Sequence, residues 1–239
     1  MPPSIAPPGL ASLLAPFDRD RFLADRWPDQ CLAIHGEPGR LGGLFAIPEL
    51  ADLGSLLRAW QGDVMVNLPD RHEEHSHVKV GTTVARKLYD NGMVLTFPRV
   101  EKQLPYLRTW LTRLRAELGL PRHALAYCLV YANPTGETVS PHFDANANFV
   151  VQLRGTKGWR FAPNTWVANP TERHAMNKRL PYASLRRHAT SPAPTRMPAR
   201  STRVELRPGS VLFLARGWWH ETVAREEALS LNFVFQQPT

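Results

Sequence analysis

PHFDANANFVVQLRGTKGWRF, residues 141–161, decides the fold of this 239-residue chain. It is one of a series of short apolar or alternating segments that begins at about residue 123. The others are ALAYCLVYA (124–132), TVSPHFD (138–144), STRVELRPG (201–209), SVLFLARG (210–217) and LSLNFVFQ (229–236), with Gly and Pro between them. Period-two or continuous apolar runs of this length, punctuated by turn residues, predict an all-β half built as a sandwich or barrel.

Upstream the period changes. Residues 17–30 (FDRDRFLADRWPDQ) set Phe17, Phe22, Leu23 and Trp27 against charges and predict a short amphipathic helix ending near Pro28. CLAIHG (31–36) reads as a strand, residues 48–60 as a helix opened by Pro48, and GDVMVNL (62–68) as a strand. In 103–119, Leu104, Leu107, Leu111, Leu114 and Leu118 make one stripe, and Gly119 with Pro121 ends it, so this helix packs. Residues 1–16 are Pro-rich and predict an extended, flexible lead-in, leaving 17–239 as a single domain with its core at 123–239.

Hydrophobic residues make up 43% of the chain, enough for a sizeable core, and no apolar run approaches the roughly 20 residues of a membrane helix. The N-terminus carries no Lys or Arg before Arg19, which argues against a secretory or transit signal. The two cysteines, Cys31 and Cys128, sit in apolar stretches and read as buried free thiols; a cytoplasmic location is expected. Lys and Arg total 29 against 21 Asp and Glu, and the excess is local. Nine basic residues lie between Glu172 and Arg207, against the two acids Glu172 and Glu205. They fall within the long, irregular, Pro-rich insert at about 162–207, which reads as a lid with one electropositive lip. His72, His75 and His77 invite a metal reading, but a polar loop without cysteine favours plain solvation.

The chemistry concentrates in His142-x-Asp144 and in LRPGSVLFLARGWWHETV (206–223). Two residues apart on a strand face one way, so His142 and Asp144 can converge on one ion. The second segment reads as a turn at Pro208-Gly209 feeding a strand that ends in Trp218-Trp219-His220. Two His and one carboxylate make the facial triad, which leaves iron with open positions.

Together with LSLNFVF (229–235), these motifs resemble the core of the JmjC/cupin oxygenases. Within that superfamily the chain is most similar to the bacterial and human hydroxylases of ribosomal proteins and of asparagines in transcription factors. FLADRWPDQCLAIHG (22–36) is similar to their helix-then-strand entry. The resemblance implies a mainly β fold with flanking N-terminal helices, a double-stranded β-helix (cupin/jelly-roll) barrel. It implies Fe(II), 2-oxoglutarate and O2 as cofactors and cosubstrates, with iron held by His142, Asp144 and His220. Lys157 matches the basic residue opposite the distal carboxylate of 2-oxoglutarate. Asn148 and Asn232 match amide positions near the cosubstrate or the coordination shell. The hydroxyl that often assists the basic residue is to be sought among Thr138, Ser140 and Tyr131.

The implied activity is hydroxylation of a side chain in a peptide or protein, the basic insert favouring an acidic segment. Hydroxylation of a free amino acid or carrier-bound natural-product intermediate is the alternative. No membrane partner is expected, nucleic acid is the lesser candidate because no RNA or DNA module is present, and homodimerisation is left open. The C-terminal dimerisation and winged-helix regions usual in ribosomal oxygenases have no counterpart before Thr239, which weighs against the expectation of a ribosomal substrate.

Overall fold

Alternation in the sequence becomes two facing sheets. The computed structural model describes residues 9–68, 76–176, 178 and 182–236. Its strands are β1 (Leu32–Ile34), β2 (Val64–Asn67), β3 (His77–Val80), β4 (Val94–Pro98), β5 (Ala126–Asn133), β6 (Thr138–Phe143), β7 (Ala147–Arg154), β8 (Lys157–Ala162), β9 (His174–Ala175), β10 (Thr202–Leu206), β11 (Val211–Leu214), β12 (Trp219–Ala224) and β13 (Ala228–Phe235). The large sheet runs β1-β11-β7-β13-β5-β4-β2-β3 and the small one β10-β8-β12-β6-β9. All the pairings are antiparallel, the arrangement of a jelly roll.

The two faces of the large sheet have different neighbours. On β5, Cys128, Val130 and Ala132 point outwards and are buried, while Tyr127, Leu129 and Tyr131 face the small sheet and are only half-buried. Helices cover the outer face: α1 (Leu10–Leu14), α2 (Arg19–Asp25), α3 (Leu53–Ala59), α4 (Thr82–Asp90) and α5 (Pro105–Glu117). The sixth helix, α6 (Ala183–His188), belongs to the insert. Asp18 caps α2 by accepting from the Arg21 N–H, and Asp52 caps α3 in the same way from Ser55. The leucine stripe of α5 is buried at Leu107, Leu111 and Leu114, with Trp110 laid edge-on against Phe233 of β13 at 4.7 Å. Leu104, at the N-cap position, packs partly buried against the same cluster. Phe22 of α2 meets Phe213 and Phe149, at 5.0 and 5.9 Å, and seals the other end of the same face. Burying aromatic rings of this size contributes roughly 1.5–3 kcal/mol each, so the helical layer holds the large sheet rigid behind the site.

Four expectations change. His220 is not at the end of the SVLFLARG strand: β11 stops at Leu214, a turn intervenes, and His220 lies near the start of the next strand, β12. Gly217, at φ +80, makes that turn, and a Cβ there would meet Pro170 at 2.8 Å. Within 1–16, residues Leu10–Leu14 form a helix whose Leu10, Leu13 and Leu14 are fully buried, because apolar spacing there outweighs the flanking prolines; residues 1–8 lie outside the described residues. The insert is not wholly irregular: it contributes β9 and α6, and it packs through Trp166, Val167, Leu185 and Met197 against Phe143 and Trp219. The third histidine of the polar loop, His77, begins strand β3, while His72 and His75 lie outside the described residues.

Candidate metal centre and cosubstrate pocket

The small sheet brings three residues from two stretches of sequence to one point. His142 near the end of β6 and His220 on β12 are direct cross-strand partners, their rings 4.1 Å apart. The β6–β12 register shifts between His220 and Thr222, a bulge that re-aims side chains at the rim. Asp144 follows β6 directly, and its carbonyl accepts from the Gly217 N–H at 2.9 Å, so the turn before β12 also fixes the carboxylate. Ligand atoms of His142, Asp144 and His220 all lie within 4.8 Å of one another.

Hydrogen bonding sets the tautomers. His142 Nδ1 lies 2.7 Å from the Ser140 carbonyl and His220 Nδ1 2.9 Å from that of Trp218. A carbonyl only accepts, so each Nδ1 carries the proton and each Nε2 presents a lone pair. Burial pushes both imidazoles below their ordinary pKa, well below for His142, with the Arg173 charge adding to it. Two neutral imidazoles and one carboxylate, three donors among the described residues, fit Fe(II) with open positions.

Lys157, the first residue of β8, is 4% exposed. Its Nζ donates to Asn133 Oδ1 at 2.9 Å and lies over the rings of Trp159 and Tyr131 at 5.6 and 5.9 Å. No carboxylate among the described residues pairs with it, and burial lowers its pKa to about 8, with the Glu137 charge opposing that fall. A buried ammonium without an acid is costly unless an anion joins it. Other buried polar atoms on the facing strand surfaces also lack partners: Asn148 Oδ1, Asn232 Oδ1, Thr222 Oγ1 and Trp159 Nε1. Buried polar groups of folded proteins are normally paired, so this cluster between Lys157 and the triad fits a polar, anionic ligand such as a dicarboxylate. The residues present suit both the metal and 2-oxoglutarate.

Three neighbours of the site were not singled out by sequence. Asn133, at the end of β5, holds Lys157, while none of Thr138, Ser140 or Tyr131 hydrogen-bonds to its ammonium. Trp159 stacks on the His220 ring at 5.8 Å and 25°. Trp219 is buried in the cluster under the insert, and Trp218 donates Nε1–H to the Asp29 carbonyl. Arg173, one basic residue of nine in its stretch, pairs with Asp144 at 3.2 Å. Asn148 reaches the coordination side of the site, Nδ2 donating to Asp144 Oδ2 at 3.3 Å, whereas Asn232 makes no such contact.

Because Asn133 is the direct partner of the Lys157 head group, Asn133→Ala is expected to weaken 2-oxoglutarate binding several-fold while metal uptake persists. Calorimetric titration of 2-oxoglutarate into the metal-loaded variant measures it. Equal affinity would make the Asn133 contact irrelevant to the ligand.

A family model described as JmjC domain matches residues 111–239. The Bacillus subtilis protein YxbC is 30% identical over 234 residues, covering 96% of this chain and 71% of its own length. The bifunctional lysine-specific demethylase and histidyl-hydroxylase NO66 of Drosophila persimilis is 24% identical over 93% of this chain and 30% of its own. Ribosomal oxygenase 1 of Gallus gallus is 26% identical over 92% of this chain and 35% of its own. Among solved structures, the Escherichia coli ribosomal oxygenase YcfD in complex with cobalt and succinic acid matches with a TM-score of 0.58 at 18% identity, over 95% of this chain and 53% of that one. The chain thus spans about half the length of that structure and about a third of the two animal relatives. No helix among the described residues is long and apolar enough to cross a membrane.

Proposed function

The chain belongs to the JmjC family of 2-oxoglutarate-dependent oxygenases, and from that premise we propose that it hydroxylates a side chain of a peptide or protein, with iron held by His142, Asp144 and His220. The observation that carries the site assignment is the triad of two neutral imidazoles and a carboxylate, together with a buried lysine that pairs with no carboxylate among the described residues. Bound Fe(II), 2-oxoglutarate and O2 supply the oxidation, in which one oxygen atom enters a substrate C–H bond and the other enters succinate as CO2 leaves.

The chain's own residues do the rest. His142 and His220 offer Nε2 to the metal, oriented by the Ser140 and Trp218 carbonyls. Asp144 supplies the negative charge and Asn148 restrains one of its oxygens. Lys157, held by Asn133, anchors the distal carboxylate of 2-oxoglutarate. Asn232 offers a buried, unpartnered amide oxygen on the inner face of β13. Trp159 and Trp219 exclude water from the two sides of the His220 strand.

The peptide or protein substrate is supported by the relatives, which bear the names of protein-modifying oxygenases, and by the insert. Arg186 and Arg187 are exposed on α6, whose Leu185 roots it in the cluster containing Phe143 and Trp219, the chain neighbours of His142 and His220. A positive lip there favours an acidic substrate segment. The double Arg186→Gln, Arg187→Gln variant is expected to raise the apparent KM several-fold for a substrate found by oxygen incorporation into host peptides. Substrate-free conversion of 2-oxoglutarate to succinate stays unchanged. The effect shrinks at high salt, since exposed charges act across a Debye length of about 8 Å near physiological salt. Unchanged peptide kinetics at low salt would reduce the two arginines to solubility charges and favour a free amino acid or carrier-bound substrate.

A further inference from the structure

Both oxygens of Asp144 are engaged by side chains from different parts of the chain. Arg173 Nε lies 3.2 Å from Oδ1, and Asn148 Nδ2 lies 3.3 Å from Oδ2. His220 Nε2 is 3.8 Å from Oδ2, so that oxygen is turned towards the imidazoles and Oδ1 towards the insert. The insert side of this clamp is not a loose surface charge. Arg173 immediately precedes β9, whose His174 and Ala175 pair with Phe143 and His142 of β6. The ladder that fixes the first metal-ligand histidine therefore also fixes the backbone from which Arg173 reaches Asp144. Arg173 and Asp144 are each about a quarter exposed, 26% and 27% at the side chain, so solvent screens the charge attraction and geometry is the larger part of the contact.

Resting on the assignment of the triad as the metal site, we propose that Arg173 is a positioning residue for Asp144. By occupying Oδ1 it leaves Oδ2 as the single ligating oxygen. It thereby keeps the carboxylate monodentate, preserves open positions on the metal, and makes correct metal geometry depend on the insert being seated at β9. Two effects of the guanidinium oppose each other. As a cation beside a cation site it disfavours metal, whereas as a clamp it holds the carboxylate ready. If charge dominated, removing Arg173 would tighten metal binding. If positioning dominates, removal weakens it and changes the coordination, in the range of about 10- to 100-fold seen when residues orienting metal ligands are lost.

The test uses the full chain and Co(II) alone, followed by calorimetry and by the visible d–d absorption. Arg173→Ala is expected to bind Co(II) about 10-fold or more weaker with an altered d–d band, consistent with a carboxylate free to use both oxygens. Arg173→Lys is expected to restore most of the affinity and the wild-type band, which a merely structural loss would not. Unfolding midpoints of the metal-free proteins establish that the variants are folded. Wild-type affinity and spectrum in Arg173→Ala, or tighter binding, overturns the proposal. Failure of the wild-type chain itself to take up Co(II) removes the triad assignment instead, and the proposal with it.

Discussion

Asp144→Asn is expected to abolish Fe(II) uptake at the triad and, with it, all turnover of 2-oxoglutarate to succinate. The substitution keeps the shape of the side chain and one of its two acceptor oxygens, so that one of the contacts from Asn148 and Arg173 is given up, while it removes the one negative charge among the three ligands. Two neutral imidazoles then face a dication without compensation in a largely buried site, and no other carboxylate among the described residues lies within ligand distance of both histidines. The loss therefore exceeds the 10- to 100-fold typical of residues that only orient a ligand. Folding survives, because Asp144 is partly exposed and follows β6. His142→Ala and His220→Ala have the same functional result but also leave voids between the strands, so the asparagine variant separates chemistry from packing. Metal-dependent succinate production by Asp144→Asn at the wild-type rate would remove Asp144 from the ligand set.

Lys157→Ala is the second large effect. A charge-assisted contact to a buried carboxylate contributes about 1.5–3 kcal/mol, so 2-oxoglutarate affinity falls about 10- to 150-fold while metal uptake is retained. The pH dependence carries a sign. Burial brings the free Lys157 ammonium down to about 8, and a bound carboxylate raises it again. Below that value the ligand meets a charged lysine. Above it, binding must first take up a proton, so wild-type affinity declines as pH rises through about 8. The Ala variant lacks this decline. Equal 2-oxoglutarate affinity in the two proteins, measured by calorimetry across that range, assigns the distal carboxylate to another residue.

The readable parts of the sequence were those in which one residue type recurs at a fixed period or stands beside a marked neighbour. The strands of 124–132 and 229–236, the α5 stripe and the triad motifs are of that kind, and each appears in the structure at its expected place apart from the strand assignment of His220. The helix over Thr82–Asp90 spans little more than two turns and strand β4 is a run of only five residues, VLTFP, so neither stood out by length; packing stabilises both, as Ala85, Tyr89, Leu95 and Phe97 are buried. β12 was hidden behind the aromatic pair Trp218-Trp219, which reads as a strand end until the turn at Gly217 is seen. Asn133 and Arg173 could not be found locally, since each acts on a residue more than 20 positions away, Lys157 and Asp144, that the sheets bring close. Lys157 was singled out by resemblance, while its burial, and the absence of a paired carboxylate among the described residues, are properties of the fold.

One site is expected to bind the metal through the triad and 2-oxoglutarate through Lys157. An anaerobic absorption titration tests both halves at once, because metal and chelating 2-oxoglutarate share a charge-transfer band that neither gives alone. The wild-type chain is expected to develop that band with one Fe(II) and one 2-oxoglutarate per chain. Asp144→Asn is expected to show none, and Lys157→Ala to show it only at much higher 2-oxoglutarate. A wild-type chain that gives no band at saturating Fe(II) and 2-oxoglutarate would contradict this assignment of the triad and Lys157.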